Sequence, residues 1–234
     1  IRRTLAECGA PYDLYSISDL ALDEADNYQM YIFVNQYDVS KKTRALIEEK
    51  CRRKGKTVLW LYAPNYATDG SLNVENISDI TGMTVTSGES SHGGIIYDKK
   101  RFDFPLNAPY FSVCDKKAAP LALFEDGAVA VAKREIDGFN SVYCSTCNLP
   151  SGLLRDILID SGIFVYSKNS LVYTYVNSDS IGVYNATGKD AEIYLKEDGV
   201  YSDLISGGEL RCENGTLKIK NREINAFLLI KKQE

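Results

Sequence analysis

The sequence predicts an α/β layer built on a parallel sheet, followed by a small all-β sandwich domain. Three observations carry this. Two apolar runs, Met30–Val34 in "MYIFVN" and the strand within "TVLWLYA" at residues 57–63, suit strands buried on both faces, the habit of parallel sheets covered by helices. Between them, residues 40–54 place Ala45, Leu46, Ile47 and Cys51 at helical spacing, with Ser40 as N-cap and Gly55 as the C-terminal stop. After Ser167 no helical period recurs, and short β-rich runs alternate with Gly, Asn and Asp.

Each element follows in order. "PYDLYSISDL" alternates imperfectly and predicts a short strand at a sheet edge. The strand, helix, strand order of residues 30–63 predicts a right-handed crossover. "NVENISDITGM" predicts a short helix capped by Asn73 and ended by Gly82. "GIIYD", "YFSVCD" and "LALFEDGAVAVAKRE" turn antiparallel, with a hairpin at Asp126-Gly127. "FNSVYCS" is a further strand, and "LPSGLLRDILIDSG" is a helix opened by Pro150 or Ser151 and closed by Gly162. "LVYTYVN", "SIGVYNA", "AEIYLK", "GVYSDLI", "GTLKIKN" and "INAFLLIKK" supply the closing strands. The expected domains are therefore residues 1–167 and 168–234.

Composition narrows the function. At 44% hydrophobic and 25% charged, the chain has the make-up of a globular protein, and no run approaches the roughly 18 apolar residues of a membrane span. A net charge of −5 argues against nucleic acid as a partner, because phosphate neutralisation needs a surplus of Lys and Arg. The basic stretch "KKTRALIEEKCRRKGK" is interrupted by Glu48 and Glu49 and reads as a solvated helix face. Cys8, Cys51, Cys114, Cys144, Cys147 and Cys212 are scattered, so reduced thiols are expected. Asn76, Asn185 and Asn214 begin sequons that carry meaning only on a glycosylating route, and the compartment is not legible.

Taken together, "LAECGAPYDLYSISDL", "YQMYIFVNQYDVS", "KGKTVLWLYAPNYATDGSLNVENISDITGM" and "SGLLRDILIDSGIFVYS" resemble the glutamine-amidotransferase-like domain behind the catalytic barrel of β-galactosidase-like glycoside hydrolases, those of family 42 and their large relatives. The resemblance implies a flavodoxin-like, class I glutamine-amidotransferase-like three-layer sandwich over residues 1–167, and a small β-sandwich over 168–234. In family 42 the first region is called the trimerisation domain. The resemblance therefore implies a non-catalytic accessory role in a homo-oligomeric parent, with an upstream catalytic domain of the same chain as partner. The family's first strand normally precedes "LAECGAPYDLY", so the chain is expected to be a fragment lacking it.

A class I amidotransferase carries a catalytic Cys on the turn after the strand matching "TVLWLY", activated by a His on a later strand. Here that turn reads Tyr62-Ala63-Pro64-Asn65, and the later strand end reads "VYCSTCNLP". The pocket is read as vestigial, with no catalytic residue, no metal and no cofactor. Asp19, Asn35, Asn65 and Tyr66, at the expected carboxyl ends of parallel strands, are its ligand candidates, although turn and cap duty explains Asp19 and Asn65 equally well. Three further features remain. Cys144-Ser145-Thr146-Cys147 lies between a strand and a helix N-terminus, where a dipole lowers a thiol pKa, but a lone CxxC is half a zinc site and reads as structural. His92, the sole histidine, reads as a loop residue touching solvent. Tyr173, Tyr175, Tyr184, Tyr194 and Tyr201 raise carbohydrate binding as an alternative, which an exposed row of aromatic residues on one β face would favour over core positions. A small-molecule enzyme is the other alternative, requiring a preformed polar pocket at the strand ends.

Overall fold

The hydrophobic runs and turn residues build two compact units, a central one, Leu14–Leu153, and a terminal one formed by Ile1–Asp13 with Leu154–Glu234. The computed structural model describes residues 1–68, 70–88, 93–104, 108–232. Its α-helices are α1 (Arg2–Glu7), α2 (Lys41–Leu46), α3 (Val74–Thr81) and α4 (Ser151–Asp160). The described strands of the central unit are β1 (Met30–Phe33), β2 (Thr57–Leu61), β3 (Ala67–Thr68), β4 (Ser71–Leu72), β5 (Val85–Gly88), β6 (Ile95–Tyr97), β7 (Lys100–Phe102), β8 (Tyr110–Val113), β9 (Ala119–Phe124), β10 (Val129–Ile136) and β11 (Phe139–Cys144).

The central sheet runs β1-β2-β11-β10-β9-β6-β7, with β8 pairing β10 and β5 pairing β8. Its centre is parallel: β2 lies between β1 and β11 in register on both sides, and all five of its residues are buried. Ser40 caps α2 by accepting the Thr43 N–H at 3.1 Å, and the helix continues as a π-turn over Ile47–Cys51 before Gly55. Asn73 caps α3 through the Glu75 N–H at 2.9 Å, and Gly82 ends it at φ 69°. Trp60 anchors the core, fully buried, stacked on Phe33 with centroids 4.7 Å apart and donating to Ser141 Oγ at 3.2 Å.

The terminal unit holds β12 (Val172–Val176), β13 (Ile181–Asn185), β14 (Ala191–Tyr194), β15 (Gly199–Asp203), β16 (Gly208–Glu213), β17 (Thr216–Ile219) and β18 (Ala226–Lys231). They form one antiparallel sheet in the order β12-β13-β18-β15-β16-β17-β14. Alternate side chains turn inward, so Val172, Val183, Ile193, Tyr201, Leu217, Phe227 and Leu229 make the core. Gly9, just past α1, sits at φ 82°, where an added Cβ would lie 1.9 Å from the Ser167 carbonyl oxygen, so only glycine fits. The carbonyls ending α1 are covered by Arg155, which donates to Glu7 O at 2.6 Å and Cys8 O at 3.1 Å.

This architecture corrects the expected fold class. The described residues are 37% strand and 20% helix, with a nearly closed antiparallel barrel and a mixed sheet, not a flavodoxin-like three-layer sandwich followed by a β-sandwich. The physical reason lies in the connections. After the β1-α2-β2 crossover, β6-β7, β9-β10 and β10-β11 follow as hairpins, whose short turns join only antiparallel neighbours, and no further helix lies between them. Asp98-Lys99, Asp137-Gly138 and Asn214-Gly215 all hold positive φ at both residues, the type I′ geometry whose twist matches a hairpin. The edge strand expected in "PYDLYSISDL" is also absent. Ser16 and Asp19 instead form a capping box, with the Ser16 N–H donating to Asp19 Oδ2 at 2.9 Å, which seeds a 3₁₀ helix over Ile17–Ala21.

Candidate functional site

Three parallel strands end together at the carboxyl side of β1, β2 and β11. Asn35 follows β1 at φ 56°, exposed, with its Oδ1 accepting from the Tyr37 hydroxyl at 3.3 Å. Asn65 follows β2 at φ 59° and is 4% exposed; its Oδ1 accepts from the Val39 N–H at 3.2 Å and from Thr68 Oγ1 at 2.6 Å. Tyr66 is half-buried, its ring edge-on to Phe111 at 5.2 Å. Asp19 is not at a parallel strand end, since it lies in the capping box described above. The structure therefore brings Asn35, Asn65 and Tyr66 into one region of the fold, and Asn65 is engaged in holding the turn.

The corner directly after β2 is occupied by Tyr62. It takes φ 65°, a left-handed conformation that a bulky residue adopts only when its surroundings fix it. They do so at every polar group. Its N–H donates to Cys144 O at 2.8 Å, its carbonyl accepts from the Tyr143 hydroxyl at 2.5 Å, and its own hydroxyl donates to Pro109 O at 3.0 Å. Burial pushes the phenol up to about 12, so it stays protonated at neutral pH.

The cysteine pair follows the same logic. Cys144 is fully buried at the end of β11, with Thr146 Oγ1 3.4 Å from its sulfur, and burial pushes its thiol up to about 11. Desolvation has thus overridden any benefit from the neighbouring helix terminus. Cys147 is half-buried beside the Tyr37 hydroxyl, whose pKa rises through burial and then through this neighbour. His92 lies outside the described residues. Among the described residues no group of three or more His, Cys, Asp or Glu is placed to hold a metal, and no helix is long and apolar enough to cross a membrane.

In the terminal unit the five tyrosines divide. Tyr201 is buried and donates to Glu197 O at 2.9 Å, while Tyr194 is half-buried beneath Lys168. Tyr173 and Tyr184 pair across β12 and β13, stacked at 6.2 Å, and Tyr175 lies two residues further along β12 opposite Gly182. The register puts all three on one face, where Tyr175 is 62% and Tyr184 51% exposed. Beyond the same hairpin, at the barrel mouth, a cavity of about 310 Å³ is lined by Tyr166, Asn177, Asp179, Lys196, Glu197 and Lys231 among others. Sequence reasoning passed over these residues; the only signal was the polar turn "NSDS" between two alternating strands.

No family model matches the chain, and no curated protein matches it by sequence. Solved structures do share the fold. A catalytic mutant of a GH42 β-galactosidase from G. stearothermophilus matches at TM-score 0.67 and 15% identity, covering 99% of this chain and 35% of that one. The β-galactosidase of Bacillus circulans sp. alkalophilus matches at 0.65 and 14%, over 98% and 36%. That of the Antarctic haloarchaeon Halorubrum lacusprofundi matches at 0.64 and 14%, over 98% and 34%. The chain thus has the fold of a region of GH42 β-galactosidases and spans about a third of their length.

Proposed function

We propose that the chain is a non-catalytic accessory region of a larger β-galactosidase-like glycoside hydrolase, supporting or oligomerising a catalytic domain elsewhere in the parent. One observation carries this reading: nearly all of the chain, 98–99%, superposes on only 34–36% of the GH42 proteins described above. The strand ends support it, because the Tyr62 hydroxyl, Asn65 Oδ1 and the Cys144 thiol are engaged in internal hydrogen bonds. The test is the mass of the full parent against a parent lacking residues 1–167. Loss of the oligomer on deletion is expected, and an unchanged oligomer removes the assembly role.

A second reading, carbohydrate contact, is favoured by the shared outward face of Tyr173, Tyr175 and Tyr184, since aromatic rings stack on the C–H faces of sugars. Retardation in polysaccharide-containing gels, abolished by Tyr175→Ala with Tyr184→Ala, is the expected result. Equal mobility with and without polysaccharide removes this reading.

A further inference from the structure

We propose that Asp198 guards a self-reactive bond: its carboxylate clamps the Asn214-Gly215 turn and holds back succinimide formation there. Asn214-Gly215 is the chain's only Asn-Gly pair, and it forms the tip of the β16-β17 hairpin, with Asn214 exposed. Asparagine is a thermolabile residue, and a following glycine has no side chain to hinder its own amide nitrogen. In the reaction the Gly215 N–H loses its proton to hydroxide, and the nitrogen bonds to Asn214 Cγ. The Cγ–Nδ2 bond then breaks, ammonia leaves with a proton from water, and a five-membered imide remains. Water opens that ring to aspartate or isoaspartate. The isoaspartate product adds a backbone methylene between Glu213 and Thr216, which face each other across the ladder.

Both N–H groups of the turn point at one carboxylate. The Asn214 N–H donates to Asp198 Oδ2 at 2.9 Å and the Gly215 N–H to Asp198 Oδ1 at 2.7 Å, while Cys212 Sγ donates to the same Oδ1 at 3.6 Å. Successive turn amides make an anion-binding concavity, and here the chain supplies the anion itself. The Gly215 N–H in turn holds the Asp198 carboxyl below its ordinary value, so the charge is present at neutral pH. The proton on Gly215 is the one the reaction must remove. Its loss would leave a negative nitrogen 2.7 Å from a carboxylate, where like charges repel. That nitrogen must also turn from Asp198 toward Asn214 Cγ. The Glu213–Thr216 and Cys212–Leu217 pairs resist this, as does the Leu195 N–H, which holds Gly215 O at 2.9 Å. The Asn214 side chain, by contrast, makes no hydrogen bond among the described residues, so the clamp on Gly215 is the restraint that counts.

This inference does not rest on the accessory reading. The test is prolonged incubation of the full chain in mildly alkaline buffer, with aspartate and isoaspartate at position 214 quantified by peptide mapping and mass spectrometry. Hydrogen exchange along β16 and β17 is measured in parallel, and an unstructured peptide covering residues 209–219 gives the unguarded rate. The wild type is expected to react about tenfold more slowly than the peptide, and Asp198→Ala to recover that factor, the scale of one charge-assisted hydrogen bond. Asp198→Ser keeps an acceptor oxygen without the charge, and it creates no new Asn-Gly pair with Gly199, as Asp198→Asn would. Its rate is expected to fall between those of the wild type and Asp198→Ala, with exchange along the rest of the hairpin unchanged. That readout separates guarding the bond from holding the fold. A wild type as fast as the peptide, an unchanged rate in Asp198→Ala or Asp198→Ser, or rates that rise only together with exchange along the whole hairpin overturn the proposal.

Discussion

The two units differ in how far the polar groups at their strand ends are used by the fold itself. In the central unit, where three parallel strands end side by side, the Tyr62 hydroxyl, Asn65 Oδ1 and the Cys144 thiol are engaged in internal hydrogen bonds, while the buried Ser145 hydroxyl beside Cys144 has no partner among the described residues. In the terminal unit, Tyr166 lines a surface cavity of about 310 Å³ and contributes to the fold through its backbone, donating to Gly9 O and accepting from the Tyr194 N–H. The difference teaches that polar groups at a strand end are drawn inward where they are needed to fix the backbone. Parallel strands finishing in left-handed turns, as at Asn35, Tyr62 and Asn65, need them.

Trp60→Ala should have the largest effect and the one most confined to the central unit. It removes a fully buried ring stacked on Phe33 and is expected to cost about 3–5 kcal/mol, read by denaturant unfolding followed by circular dichroism. Hydrogen exchange should show the loss in β2 and β11, whereas equal loss across the β12–β18 barrel would contradict two separately organised units.

Asp203 tests the barrel. It is 1% exposed, pairs with Arg222 at 2.8 Å, and accepts from Ser206 Oγ at 2.6 Å and from the Ile205 and Leu228 N–H groups. Burial pushes this carboxyl up, but the hydrogen bonds from Ser206 and Arg222, and then from the backbone, hold it below its ordinary value. A depressed folded-state pKa gives stability that is present above the unfolded value, about 3.9, and is lost as pH falls through the folded value. Melting temperature should therefore drop below about pH 4 in the wild type. Asp203→Asn should cost about 3 kcal/mol at pH 7 and flatten that acid dependence. An unchanged acid slope in the variant would show that other carboxylates set it.

Asn65→Ala sharpens the contrast between strand ends. It leaves the Val39 N–H without its side-chain acceptor and forces alanine to φ 59°, for an expected cost of about 1–3 kcal/mol by urea unfolding. A neutral Asn65→Ala would instead release this residue for ligand duty. The smallest effect is expected from Cys144→Ser with Cys147→Ser, within about 1 kcal/mol of wild type. With its thiol pushed up to about 11, Cys144 should resist iodoacetamide at pH 7.5 while exposed Cys114 reacts, as peptide mapping would show. Rapid labelling of Cys144 would mean that its strand end opens.

Legibility in the sequence followed the range of the interaction. The Asn73 and Gly82 ends of α3, the Ser40 cap and the buried character of β2 were readable because each depends on residues a few positions apart. Asp137-Gly138 and Asn214-Gly215 were readable hairpin signals that went unused, and with them β16 was missed, its six residues following Gly207 with little apolar alternation. Asp19 was misplaced because an imperfect alternation was given more weight than the Ser16/Asp19 capping box. Tyr166 carried no local signal, since its environment is assembled from β12, β13, β14, β15 and β18 neighbourhoods far along the chain.

By itself the sequence determined the helix caps, the turn chemistry and which faces of strands such as β2 and β12 would be apolar, all set by covalent neighbours and period-two or 3.6-residue spacing. Tertiary structure alone decided that the parallel part stops at β1, β2 and β11, and that β12 to β18 curl into a nearly closed barrel rather than a sandwich. It also decided that the Tyr62 hydroxyl is tied off. The physical reason is that alternation encodes which face of a strand is buried, but not which strand lies beside it; that choice depends on long-range packing and closure.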